Sequence, residues 1–149
     1  MRRGTLEIVA AARFRVLVID DSEVLLDRMK RALGAEGYDV TTTSRAVGNA
    51  RHIPSCDLVI IDFHMPGIDG GTVMASLRGA EGDNKKAHSC LFYLYSSDTT
   101  LDFRALGFDG VLTGKGDEDA LVRQVRAIVR LSQLRALKKT KPPLPPPTT

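Results

Sequence analysis

Four apolar runs in this 149-residue chain lead into residues that can do chemistry. Residues 14–19 run into Asp20-Asp21, residues 58–61 into Asp62, residues 91–95 into Ser96, and residues 111–112 are soon followed by Lys115. If the runs are parallel strands of one sheet, all these groups project from its carboxyl edge, where chemistry gathers in open α/β folds. Three carboxylates brought together there repel one another unless a cation sits among them. An all-oxygen set of this kind suits Mg2+, which keeps several waters and takes one or two carboxylates. A carboxylate beside that ion can attack a phosphoryl group to give an acyl phosphate. The metal, a lysine ammonium and a hydroxyl would neutralise the phosphoryl oxygens. Each residue also has a plainer use: Asp20 or Ser96 as a helix cap, Asp62 as a solvated turn acid, Lys115 as a solvated loop lysine. A suitable residue type at all four strand ends is harder to explain that way.

The stretch 57–70, DLVIIDFHMPGIDG, is the centre of this pattern. Its aliphatic run reads as a strand buried on both faces, and Met65-Pro66-Gly67 turns the chain straight after it. Ahead of it, Ser22 can cap a helix with an apolar stripe of Leu25, Met29, Ala32 and Leu33, closed by Gly34 and Gly37. Residues 38–43 read as a second strand and 46–52 as a weak helix. Beyond the centre, Val73, Met74 and Leu77 mark a helix ending by Gly79, and residues 80–87 form a polar loop. Residues 101–106 leave room for only a turn or two of helix before Gly107. The last helix starts near Asp117, with acids in its first turn where the dipole favours them. Leu121, Val125, Ile128 and Val129 form its buried stripe, and it extends to about Lys139. Alternating strands and helices predict an α/β fold: a doubly wound five-stranded parallel sheet with right-handed crossovers and a shortened fourth helix.

With 43 % hydrophobic residues, the chain supports one compact domain with a sizeable core. It contains no 18-residue apolar run and no signal-peptide core, so no membrane partner is expected and the cytoplasm is the expected location. The domain is expected over 13–139. Residues 1–12 form a leader that is either disordered or packed on the domain, and 140–149 a tail with five prolines that cannot fold alone. The net charge of +3 hides an asymmetry. All 18 acids lie at or before Asp119, against 14 Lys and Arg there, a net −4, and the remainder carries seven basic residues and no acids. A basic tail can meet nucleic acid or an acidic partner, but a solvated helix face is commoner. Cys56 and Cys90 could approach each other at the opposite end of the sheet, and ordinary buried thiols are the expected state.

The combination of residues 16–22 (VLVIDDS), Asp62 with residues 65–70 (MPGIDG), and residues 107–110 (GFDG) before Lys115 resembles the receiver domain of two-component response regulators. The resemblance covers about residues 15–137 and is closest to stand-alone, CheY-like receivers. It implies a flavodoxin-like (βα)5 fold with Asp62 as phosphoacceptor, charged by a histidine kinase or phosphotransfer protein. It implies Mg2+ held by Asp21, Asp62 and the backbone carbonyl of His64, with Asp20 acting mainly through water. Ser96 and Lys115 would contact the phosphoryl group. No enzymatic turnover is implied beyond Mg2+-dependent self-phosphorylation and slow autodephosphorylation.

Three features depart from the family pattern. Lys115 is followed by Gly116 instead of proline, and Gly114 adds one residue before it, so the lysine reaches in only if the loop bulges. Val111 stands where many receivers carry a switching Tyr or Phe. The segment 96–107 is about a turn short, which predicts that phosphorylation is read by an unusual surface or through local order there. A pseudo-receiver, an interaction module that does not turn over phosphate, is therefore the alternative. An aspartyl-phosphate phosphatase is disfavoured, because His64 occupies the place of its usual second acid. His64 would lie close to any attacking water, although an exposed loop side chain is its commoner role. His52 and His88 have no metal-ligand spacing with the cysteines.

With no DNA-binding domain expected, the protein should act by binding something else. The last helix, with Arg123, Arg126, Arg130, Arg135 and Lys138, could dock an acidic output protein or a second copy in a homodimer. The proline-rich end could serve as a tether or as a ligand for an aromatic groove.

Overall fold

The computed structural model describes residues 13–45, 56–62, 90–97, 102–105 and 107–139, the last span with side chains through 137. Expectations for 1–12, 46–55, 63–89 and 140–149, which include His52, His64 and His88, lie outside the described residues. Five strands are present: β1 (Arg15–Ile19), β2 (Asp39–Thr43), β3 (Leu58–Asp62), β4 (Leu91–Tyr95) and β5 (Gly110–Leu112). Two described helices accompany them, α1 (Glu23–Gly34) and α2 (Glu118–Lys139). The strands lie in the order β2-β1-β3-β4-β5 and every pair is parallel. This is the α/β sheet expected from the sequence.

All five residues of β3 are buried because it is the middle strand, with neighbours on both sides and an apolar layer on each face. Alternation splits the core in two. Val16, Val18, Leu58, Ile60, Tyr95 and Leu112 pack with the buried stripes of α1 and α2, and Leu17, Ile19, Val59, Ile61, Phe92 and Leu94 form the opposite layer. Cys56 and Cys90 are buried thiols in that second layer and are not joined in a disulfide. At the amino edge Arg15 grips Asp57 through its backbone N–H (2.8 Å) and its guanidinium (3.1 and 3.2 Å), fixing where β1 meets β3.

The Ser22 hydroxyl caps α1 by accepting the Leu25 N–H at 3.2 Å. The stripe differs from the one expected. Leu26, Met29 and Leu33 are the buried residues, whereas Leu25 and Ala32 sit half-buried on its flank. Adjacent leucines at 25 and 26 lie about 100° apart around a helix. Packing on the sheet and on α2 selects the second. On α2 the expected Leu121, Val125, Ile128 and Val129 are all buried. Beyond them the helix exposes Leu131, Leu134 and Leu137. Arg126, one of the exposed basic residues of this helix, pairs with Glu36 on the segment after α1.

In the fourth crossover the described residues Asp102–Ala105 form a turn where a short helix was expected. The Asp102 carboxylate accepts the Ala105 N–H at 3.2 Å, and the Gly107 and Phe108 N–H groups each donate at 3.0 Å to the carbonyls of Arg104 and Phe103. Asp109 then fixes β5 against β4, exchanging two 2.8 Å bonds with the backbone of Phe92.

Gly110 starts β5 directly under the Tyr93 ring, and a Cβ there would lie 2.5 Å from a ring carbon. Gly34 has nothing within 4 Å of such an atom. Gly110→Ala is therefore expected to cost about 1–3 kcal/mol through overpacking. Gly34→Ala, at the end of a helix, should be neutral or stabilising by about 0.5–1 kcal/mol. Urea unfolding of the two variants beside the parent checks both signs.

Candidate functional site

Strand register brings the acids together. Ile19 is level with Ile61, so the residues that follow, Asp20 and Asp62, leave adjacent strands at the same height. The Asp20 N–H continues the sheet by donating to the Thr43 carbonyl at 3.2 Å, and its carboxylate accepts the Ser22 N–H at 2.9 Å as the chain bends into α1. Asp20 and Asp62 are only 2 % and 3 % exposed, whereas Asp21 is open to solvent. Oxygens from all three carboxylates lie within 4.8 Å of one another.

Lys115 enters this cluster from β5. Its ammonium lies 2.7 Å from Asp62 Oδ1 and 3.7 Å from Asp20 Oδ2. The extra glycine does not push the lysine out of reach. Gly114 (φ +71°) and Gly116 (φ +96°) both take the left-handed conformation, so the loop bulges around Lys115 and turns its side chain inward. Three elements hold that bulge. On α2, the Gln124 amide accepts the Thr113 N–H and donates to the Thr113 carbonyl, both at 2.9 Å. From α1, Arg28 donates to the Gly116 carbonyl at 3.1 Å and pairs with Glu118 at 2.9 Å. From β4, the buried Tyr95 hydroxyl accepts the Gly116 N–H at 3.2 Å and donates to the Gly114 carbonyl at 3.5 Å.

Ser96 is buried directly after β4, one residue past Tyr95, which is the register partner of Asp62. Its N–H points to the Leu112 carbonyl at 3.5 Å. Val111 is half-buried against the second apolar layer, so β5 offers no aromatic ring at that position. Among the described residues, Asp20, Asp21, Asp62 and Lys115 thus meet as a set, Ser96 stands at the same edge, and His64 lies outside. Sequence reasoning missed Tyr95, Gln124 and Arg28. Their only sequence signal is a polar group on an otherwise apolar strand or helix face.

Burial pushes the Asp20 carboxyl up to about 6, and the negative charges of Asp62 and Asp21 push the same way. The Ser22 N–H and the Lys115 ammonium oppose the rise without cancelling it. Three carboxylates and one ammonium leave the cluster two charges negative, and every carboxylate ligand atom is a hard oxygen. Asp20, Asp21 and Asp62 therefore fit a divalent cation such as Mg2+, with exposed Asp21 on the open side.

The response regulator receiver domain profile matches residues 16–126. The chain belongs to this family. It is 31 % identical over 140 residues to the transcriptional regulatory protein TcrA of Mycobacterium tuberculosis, covering 90 % of this chain and 49 % of that protein. It is 30 % identical over 132 residues to the response regulator PleD of Caulobacter vibrioides, covering 85 % and 26 %. The chain thus spans half or less of these relatives' length. Among solved structures it is similar to the chemotaxis response regulator CheY4 of Vibrio cholerae, with TM-score 0.66, 20 % identity, and 78 % of this chain and 99 % of that one covered. It is also similar to the response regulator TrrA of Thermotoga maritima in complex with Mg2+ and BeF, with TM-score 0.61, 26 % identity, and 76 % and 97 % covered. No described helix is long and apolar enough to cross a membrane.

The Asp20 shift fixes the sign of a pH effect. A carboxyl whose folded value is about 6, against an ordinary 3.8, favours folding when protonated and costs stability once ionised. In metal-free buffer Asp20→Asn should therefore be more stable than the parent at pH 8, by about 1–2 kcal/mol. The advantage should shrink as pH falls through 6 and vanish near pH 4. Thermal melts across that range check it. A difference that does not change with pH would contradict the assignment.

Proposed function

We propose that this chain is a phosphoacceptor: Asp62 takes a phosphoryl group from the phosphohistidine of a histidine kinase or phosphotransfer protein, with Mg2+ required, and the product signals through protein–protein contacts. The observation that carries this reading is the Lys115 ammonium 2.7 Å from the buried Asp62 carboxylate, inside a three-acid cluster. An Asp62 oxygen attacks phosphorus in line, and the phosphorus–nitrogen bond to the donor imidazole breaks. The Lys115 ammonium, which neutralises Asp62 at rest, follows the charge onto a phosphoryl oxygen. The Ser96 hydroxyl donates to another. Asp20, Asp21, Asp62 and the His64 carbonyl are the proposed ligands of Mg2+, which when bound would screen the phosphoryl oxygens from these carboxylates. The Mg2+–BeF complex of TrrA supports the same cofactor here.

Val111 favours one other reading, a pseudo-receiver that binds partners without turning over phosphate, because an aliphatic side chain cannot act as an aromatic switch. The second reason for it, a displaced lysine, loses its force with Lys115 seated against Asp62. Intact mass after incubation with Mg2+ and acetyl phosphate separates the readings. A labile one-phosphate gain is expected in the parent, none in Asp62→Asn, and labelling about ten-fold slower or more in Ser96→Ala. If the parent gains no mass and also fails to bind beryllofluoride with Mg2+, the pseudo-receiver reading stands in its place.

The short fourth crossover gives the proposed output a second readout. Because residues 102–108 close on a few local bonds, beryllofluoride with Mg2+ should change amide exchange there. Unchanged protection from 98 to 110 would place the output elsewhere.

A further inference from the structure

Lys115 sits between two glycines that give its loop no side-chain packing of its own, and yet its ammonium reaches Asp62. Something must hold the peptide groups on either side of it. Gln124 grips Thr113, before the bulge, and Arg28 touches only the outer carbonyl of Gly116. Among the described residues, the one side chain bonded to the peptides on both sides of Lys115 is Tyr95, from within the core. Its ring is 1 % exposed, level with Asp62 on β3 and Leu112 on β5, and its hydroxyl spans Gly116 N–H and the Gly114 carbonyl.

We propose that Tyr95 is the positioning residue for Lys115, its hydroxyl setting the loop so that the ammonium meets Asp62. This rests on the phosphoacceptor reading and deepens it, because it says what stands in for the proline that family resemblance leads one to expect after the lysine. Two facts favour it over a ring that merely fills the core. Leucine or phenylalanine would fill the same apolar layer without burying a hydroxyl, and a buried hydroxyl is stable only where it finds partners. The partners it finds are the two residues flanking Lys115. Burial also pushes the phenol above its ordinary value, so it keeps the proton it donates at neutral pH.

Tyr95→Phe keeps the ring and deletes only the bridge. The parent, Tyr95→Phe, Lys115→Met and the double variant are compared in two ways. With acetyl phosphate and Mg2+, Tyr95→Phe should label Asp62 about ten-fold more slowly or worse. The double variant should be no slower than Lys115→Met, since a residue that acts through the lysine has nothing left to position. Parental labelling by Tyr95→Phe, or losses that multiply in the double variant, would overturn the proposal. The second comparison is urea stability in metal-free buffer, where the Lys115–Asp62 pair acts whether or not phosphate is accepted. The two substitutions together should cost less than the sum of each alone. If the parent neither labels nor binds beryllofluoride, the phosphoacceptor reading falls and this second cycle decides: coupled losses uphold the positioning role, additive losses overturn it.

Discussion

Two carboxylates buried side by side at a sheet edge, with one ammonium against them, are the constraint the remaining structure has to satisfy. Moving an ion out of water costs several kcal/mol, and a single buried pair rarely returns more than that. Here the deficit is larger, because Asp20 and Asp62 share Lys115 and exposed Asp21 adds a third negative charge nearby. The Asp20 carboxyl is raised mainly by burial, and the neighbouring negative charges add to the rise. Such a cluster contributes little to folding and has to be carried by the apolar layers beneath it. β3, buried along its whole length, and the clusters on both faces of the sheet supply that support at about 1.5–3 kcal/mol per fully buried aliphatic side chain. The charge imbalance is also what makes the edge receptive to a cation.

Holding the ammonium is a separate problem from burying the acids. The acids leave regular strands, where hydrogen-bond register fixes their height. The lysine leaves a bulged loop with a left-handed glycine on each side, and such a backbone is permissive by nature. The loop is made specific from outside itself, by a bidentate amide on α2, an arginine on α1 and a buried phenol on β4. Asp117 adds to this, donating its N–H to the Gly114 carbonyl and accepting the Ala120 N–H, so the bulge runs straight into the start of α2. A permissive loop clamped on three sides can be as well defined as a stiff one.

How much of this could be read from residues alone follows from the range of each interaction. Strands β1, β3 and β4 were legible because four or five consecutive apolar residues can be satisfied only between two layers, and parity then carries Asp20 and Asp62 to one edge. The rotation of α1 was not, because Leu25 and Leu26 are equally apolar and the choice between them is made by α2 and the sheet. The reach of Lys115 was left open for a similar reason. One extra residue in a strand-to-helix loop reverses a side chain unless backbone φ does so instead, and the signs of φ at Gly114 and Gly116 depend on partners 19 to 21 residues away in sequence. The short fourth crossover was anticipated by length, but length alone does not separate a single helical turn from the turn that forms at Asp102–Ala105.

The same clamps bear on how a change at the edge would leave it. With Val111 in β5, no aromatic ring stands at that position of the strand, and the described residues of the fourth crossover form only a turn. Most of the bonds that end on the lysine loop run to the helices. Arg28 joins Gly116 to Glu118, Gln124 joins Thr113 to the body of α2, and Arg126 reaches back to Glu36 after α1. Hydrogen bonds weaken steeply with misalignment. Any shift of Lys115 from carboxylate to phosphoryl oxygen must therefore be absorbed in those contacts or passed to the packing of α1 on α2. This connectivity identifies the α1–α2 edge, together with the Tyr95 bridge to β4, as the place where strain from a displaced lysine has bonds to travel through.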